Sequence, residues 1–481
     1  MRNIPLVEQE SIMSKSAFLC GLVFLATPVL ASAKDFPLDW KTLTAEESVT
    51  FPGGVGMSGT LQAVKPNGIH KEPPPVSKHR LYGQLGRSTN GFLFRLDESK
   101  GDGKGYDCLL VDLNQNGDLT DDAAASPVEQ PKSAAKVAVS DQTETILFGP
   151  IPAPENRMIG GRRPIYYARM YHYKQRSGLL QPGGSAYLGF LRLRAGWYLE
   201  TTVELDGIRQ KIGIVDGDSD LTLGDPSTPI TTRDGKEWYF QGGDCFLRDF
   251  NSSGKFERSA TESTLIPFGP ILYFGAAPWK AALSPDCKSL ALEPWPEALA
   301  ELALQPHGEQ VQSVEVAWEA SPGKWQLLDP GVENGKARVP PGNYRLIDCQ
   351  LKVETAAGHT LAVTGGKMSL SEPVKAGVDA PTPFKCGAPL EVHVKCERSG
   401  RQADSEDSTS GSFWGRLFGK TSGPKPVEQL IQIQAWIVGA GGETYRDFTL
   451  ICKDHPRQPP SPTFTITAAG KEVASGKLEY G

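Results

Sequence analysis

The chain has 481 residues, and its 52 glycines and 38 prolines imply many turns and few long helices. Hydrophobic residues at 39% and charged residues at 22% exclude a disordered chain, and a net charge of −6 excludes a globally basic surface for nucleic acid. At about 100–200 residues per domain, roughly two to four domains are expected.

The first element is the apolar run Ala17–Leu30, which follows Lys15 and ends in Ala31-Ser32-Ala33. The run is shorter than the roughly 20 residues a membrane span needs, and small-x-small is a cleavage pattern. Residues 1–33 are therefore predicted to be a signal peptide, cut after Ala33, that sends the protein to the periplasm or outside the cell. No later segment is long and apolar enough to cross a membrane, so no transmembrane segment is expected once the signal is removed. The remainder keeps Cys108, Cys245, Cys287, Cys349, Cys386, Cys396 and Cys452, an odd set that leaves at least one thiol unpaired in a monomer. No C-x-x-C occurs, which argues against a zinc ribbon. One disulfide among the last four cysteines suits an oxidising compartment, with its pairing open.

Residues 34–300 read as one or more β-rich domains carrying acidic loops. Asp112-Leu-Asn114-Gln-Asn116-Gly117-Asp118 matches the opening of the EF-hand loop, D-x-[DN]-x-[DN]-G. Side chains at alternate positions converge on one point, the glycine permits the reversal, and position 7 offers its carbonyl. Position 12 is Ala123 instead of the bidentate Glu, so Asp121 or Asp122 must close the cage. The flanks read as strands, so the loop is EF-hand-like but grafted on a sheet. Asp112, Asn114, Asn116, Asp118 and Asp122 are the expected ligand residues, and calcium is the expected ion.

Further along, Tyr198–Leu205 and Ile208–Val215 flank Asp206-Gly207, the signature of a β-hairpin. A second acidic loop follows: Asp216, Asp218 and Asp220 keep three alternating carboxylates and are expected as further metal ligands, although Leu221 stands where the glycine should be. A third, Asp249-Phe-Asn251-Ser-Ser253-Gly254, keeps the glycine but has one carboxylate among its first three ligand positions. The order of Cys108–Gly117 then Phe148-Gly-Pro-Ile151 is echoed by Cys245–Gly254 then Phe268-Gly-Pro-Ile271, which points to an internal duplication of β-units. Pro296–Leu304 is predicted to be an amphipathic helix at a domain boundary.

Residues 301–481 read as a β-sandwich region. Leu351–Thr355, Leu390–Lys395 and Gln429–Trp436 alternate apolar and polar residues with the period of a half-buried strand. Residues 397–428, rich in Ser, Gly, Asp and Lys, interrupt them as a flexible loop; within it Phe413, Trp414, Leu417 and Phe418 have helix-like spacing. Val339-Pro-Pro-Gly342-Asn-Tyr344-Arg-Leu346 resembles the V-P-x-G-x-Y-x-L signature of prealbumin-like and carboxypeptidase-regulatory-like β-sandwiches. Together with the export signal and the Asp/Asn loops, it resembles a group of exported bacterial proteins whose activity is uncharacterised. The resemblance implies architecture and not chemistry.

The fold class expected is thus mainly β. There is no H-E-x-x-H, G-x-S-x-G or Walker A sequence, and Gly54–Gly59 precedes a strand instead of a dinucleotide-binding helix. His172 and its neighbours Tyr166, Tyr167, Tyr187 and Trp197 read as sheet core, with a sugar-stacking platform as the alternative. The expected function is a non-catalytic exported β-protein, calcium-stabilised, serving as a binding or scaffold module with a cell-envelope protein or glycan as partner. An extracytoplasmic hydrolase of glycan or peptide, with structural calcium, is the alternative.

Overall fold

The computed structural model describes residues 33–478, apart from 53–55, 87–90, 102–104, 130–142, 174–187, 206, 232–237, 250–251, 257–264, 356–357, 367–371, 401–428, 453–454 and 469–470. The protein is mainly β: among the described residues 56% are in strands and 3% in helix, in many antiparallel sheets, and none of these sheets closes into a barrel. Alternation drives this. In Trp197–Leu205 the residues Trp197, Leu199, Val203 and Leu205 are buried, and in Gly189–Ala195 Leu191 and Leu193 point inward while Arg192 and Arg194 do not.

In the N-terminal region a five-stranded sheet runs Leu265–Pro267, Cys245–Arg248, Ile208–Val215, Trp197–Leu205, Asp39–Thr42. A four-stranded sheet runs Met57–Thr60, Gly189–Ala195, Ile165–Tyr173, Thr143–Pro152, and a three-stranded one joins Leu81–Leu85, Phe92–Asp97 and Cys108–Val111. The expected hairpin forms, with Leu205 opposite Ile208 and Gly207 at φ +79°, a conformation that glycine adopts without penalty. The aromatic cluster is largely core: Tyr166, Tyr167 and Trp197 are buried, Trp40 stacks on Trp197 at 4.5 Å, and Tyr171 stacks across the sheet on Phe190.

The C-terminal region holds a sheet in the order Lys324–Leu328, Val311–Ser321, Gly342–Glu354, Thr360–Gly366, Thr444–Cys452, Gln429–Val438, Glu391–Gly400. A second sheet carries Val332–Glu333, Lys336–Val339, Ala300–Gln305 and Thr382–Lys385, the last pair parallel. Val339, Tyr344 and Leu346 of the Pro-Gly segment all enter the core, and the Tyr344 hydroxyl donates to the Pro340 carbonyl. A bulge then resets the alternation. Val316 pairs with Leu346 but Glu315 pairs with Asp348, so the inward positions switch from Tyr344 and Leu346 to Cys349 and Leu351.

Three expectations change. Pro296–Leu304 holds no helix: Ala300–Gln305 is a strand, and Ala300, Leu302 and Leu304 are buried with period two. An internal duplication is not shown: Cys108–Val111 and Cys245–Arg248 are both strands leading into an acidic loop, but Phe148–Ile151 lies inside the strand Thr143–Pro152 whereas Phe268–Ile271 joins two strands. Residues 397–400 belong to the strand Glu391–Gly400, so the interruption starts later; 401–428, with Phe413, Trp414, Leu417 and Phe418, lie outside the described residues.

Among the described residues two large apolar cores result, with a small third cluster of Ile69, Tyr82, Leu110 and Leu119. One large core gathers residues from Leu61 to Leu292, the other from Ile271 to Tyr445. The strand Ile271–Phe274 serves both: Leu272 and Phe274 enter the first, Ile271 and Tyr273 the second.

Candidate metal centre

The three acidic loops share one backbone. Asp112 accepts the amides of Asn116 and Gly117, Asp216 those of Asp220 and Leu221, and Asp249 those of Ser253 and Gly254. In each the fourth and sixth residues have positive φ: Gln115 and Gly117, Ser219 and Leu221, Ser252 and Gly254. The first carboxylate therefore caps two successive amides, and the chain must turn left-handed twice to present them. Leu221 adopts φ +73° without being glycine, a conformation costing roughly 1–2 kcal/mol, and its side chain is buried.

The second loop assembles the densest charge. Val215 pairs with Cys245 in an antiparallel ladder, so Asp216 and Asp244 lie opposite each other one step beyond. Asp216, Asp218 and Asp244 each offer a carboxylate oxygen within 4.8 Å of the others, and Asp218, Asp220 and Asp225 do the same. These clusters could bind a metal ion. Asp244 accepts Gly217 N at 3.1 Å and Asp225 N at 3.2 Å, and the buried Tyr166 hydroxyl donates to Asp216 at 2.7 Å. Asp216 and Asp244 are fully buried. Burial, followed by neighbouring aspartates, pushes the carboxyls of Asp216 and Asp244 well up and that of Asp218 up to about 6. Asp225 is raised for the same reasons. Burial and Asp244 also push the Cys245 thiol up to about 12, so it is a neutral neighbour of the site.

The first loop is more open. Asn114 and Asn116 turn their amide nitrogens to Asp121 at 3.4 and 2.8 Å, and their oxygens cap the backbone of Asn116 and Asp118. Asp118 pairs with Lys71 at 2.6 Å, which holds it at about 2. Burial, with Asp112, Asp121 and Asp118 nearby, pushes Asp122 up to about 7, and its Oδ2 is buried without a hydrogen-bond partner. In the third loop Asn251 lies outside the described residues.

Of the eight expected ligand residues, the structure gathers Asp216, Asp218 and Asp220 into acidic groups, and it adds Asp225 and Asp244. Asp112, Asn114, Asn116, Asp118 and Asp122 line the first loop, where no comparable group of three carboxylates forms among the described residues. A polar cavity of about 240 Å³ separates the two loops, lined by Asn114, Gln115, Arg157, Asp220 and Thr222. Comparison with protein-family models, curated proteins and solved structures finds no match, so the chemistry of the site rests on its own residues.

Proposed function

We propose that the chain is an exported, non-catalytic β-protein whose loops are stiffened by calcium and which serves as a binding or scaffold module in the cell envelope. One observation carries the calcium reading: five aspartates, two of them fully buried, converge at the end of the five-stranded sheet. Buried carboxylates of like charge raise one another, and a divalent cation relieves that repulsion. Both acidic groups offer carboxylate oxygen only, without His or Cys, which suits a hard cation. The export reading rests on Ala17–Ala33, and cleavage there would free the chain at Lys34, the first residue of the edge strand Lys34–Pro37. The prealbumin-like reading rests on Val339–Leu346, whose turn and inward Tyr344 suit such a sandwich.

The test is a set of melting curves with calcium, magnesium and chelator, for wild type and Asp244→Asn. At calcium 100-fold above the dissociation constant, linkage adds about 2.7 kcal/mol to folding. Wild type gains several degrees with calcium and little with magnesium; Asp244→Asn gains much less. An unmoved wild-type curve removes calcium from the reading. Sedimentation with isolated cell-wall glycan or envelope membranes tests the binding role, and release of soluble sugar or peptide would replace it with hydrolysis. An intact mass beginning at Met1 would remove export.

A further inference from the structure

Two buried thiols in the C-terminal core stand apart from the acidic loops. Cys349 lies on Gly342–Glu354, turned inward by the bulge at Asp348, and is 1% exposed. Cys386 follows Thr382–Lys385 and is fully buried; its amide donates to the Gln305 carbonyl at 3.1 Å. The two side chains are within hydrogen-bonding contact of each other, in one apolar cluster with Leu351 and Val311. The next residue, Gly387, lies close against the same strands: a Cβ there would stand 3.1 Å from the Leu351 side chain and 3.5 Å from that of Val311. The corner carrying Cys386 is thus pressed onto the strand carrying Cys349. It is also tied by the buried Glu443, which accepts the amides of Gly387 and Gly441 and the Tyr445 hydroxyl, and that hydroxyl is itself in contact with Cys349.

We propose that Cys349 and Cys386 form a disulfide, which fastens the Thr382–Lys385 corner to the central strand of the large sheet and closes the loop carrying Thr360–Gly366. Among the described cysteines, Cys396 is exposed on an edge strand, while Cys108, Cys245 and Cys287 lie in the N-terminal region. Oxidation proceeds by exchange with an external disulfide. One thiolate attacks it to give a mixed disulfide, and the second displaces the external thiol. The pair loses two electrons and two protons, and the external disulfide is reduced to two thiols. Contact with Cys386 and burial push the Cys349 thiol up, so exchange is slow once the core has closed. The bond therefore forms before or during docking of the corner and then resists reductant. The pairing itself is independent of export; its formation in the cell rests on the export reading.

The experiment uses the full chain, refolded from reductant-treated denatured protein with oxidised glutathione, then denatured, alkylated with N-ethylmaleimide and digested. Expected is a cross-linked peptide pair holding Cys349 and Cys386, lighter by two hydrogen atoms than the two free peptides, with Cys396 labelled. The refolded protein should melt several degrees lower when reductant is present during heating, and Cys386→Ala should show no such dependence. Full labelling of both Cys349 and Cys386 after refolding overturns the proposal, whether or not Cys386→Ala folds. The same map on protein taken directly from its native cells separates the two readings. Labelled thiols there with a cross-link after refolding remove export and keep the pair; exported protein with both thiols labelled removes the pair.

Discussion

Arg95 is 1% exposed, and its charge is met by Asp97 at 2.6 Å, Glu72 at 3.2 Å and the Pro73 carbonyl at 2.7 Å. Asp97 also accepts the amides of Val76, Ser77 and Glu98, so one buried pair holds the segment 72–77 against the sheet. Replacing Arg95 with Met leaves Asp97 buried and unpaired, and should cost about 3–5 kcal/mol in urea unfolding. The double variant with Asp97→Asn should recover part of that; an equal loss would mean that packing, not charge, dominates. Two glycines give a second residue-scale contrast. Gly117 and Gly254 share φ near +75° (+72° and +79°), but a Cβ at Gly117 would meet the Gly68 carbonyl at 2.4 Å whereas none is hindered at Gly254. Gly254→Ala should cost roughly 1–2 kcal/mol from backbone strain, and Gly117→Ala clearly more. Similar unfolding midpoints for the two would show that the first loop yields. At this scale the sequence exposed Asp216, Asp218 and Asp220 through their spacing. It hid Asp244, which joins them only through the Val215–Cys245 pairing, and it counted Leu221 against the loop although the backbone turns left-handed there.

Among the elements, most strands were legible because one face is buried and the other is not. Pro296–Leu304 misled because Ala, Leu and Glu favour helices, a weak preference that pairing with Lys336–Val339 and Thr382–Lys385 overrides. Bulges were invisible, since one extra residue leaves no composition signal, yet the one at Asp348 decides which face Cys349 takes. The same bulge sets Glu315 opposite Asp348, with Asp329 close and Arg248 at 3.4 Å from Asp329. Burial and these two aspartates push Glu315 up to about 8, from an ordinary 4.5. The folded state thus holds this proton more tightly than the unfolded one. The contribution is intact below 4.5, and stability declines as pH rises from there to about 8. Glu315→Gln should therefore match wild type near pH 4.5 and melt progressively higher than it up to pH 9. Parallel melting curves across that range would show that Glu315 is already ionised in the fold.

For the whole molecule, the sequence divided the chain near residue 300, where composition and turn signals change. The structure crosses that line. Ile271 and Tyr273 fill the second core from the N-terminal side, Trp295 packs edge-on to Trp318 at 6.3 Å, and Arg248 reaches Asp329. Fragments 34–300 and 301–481 made separately should each expose apolar surface, bind a hydrophobic dye and melt without a sharp transition. Mixed during refolding, they should regain a cooperative melt. Two sharp, independent transitions would show that the halves are autonomous.

The strand Ile271–Phe274 has no solvent side, since each of its four residues is buried against one core or the other. Its consequence is mechanical. A load passed between the ends of the protein must shear apolar contacts on both faces of this strand together, because neither core can slide without dragging the other. Pulled in a force spectrometer, the chain should therefore yield in one tall rupture instead of two smaller ones, behaving as a single strut between whatever anchors its two ends.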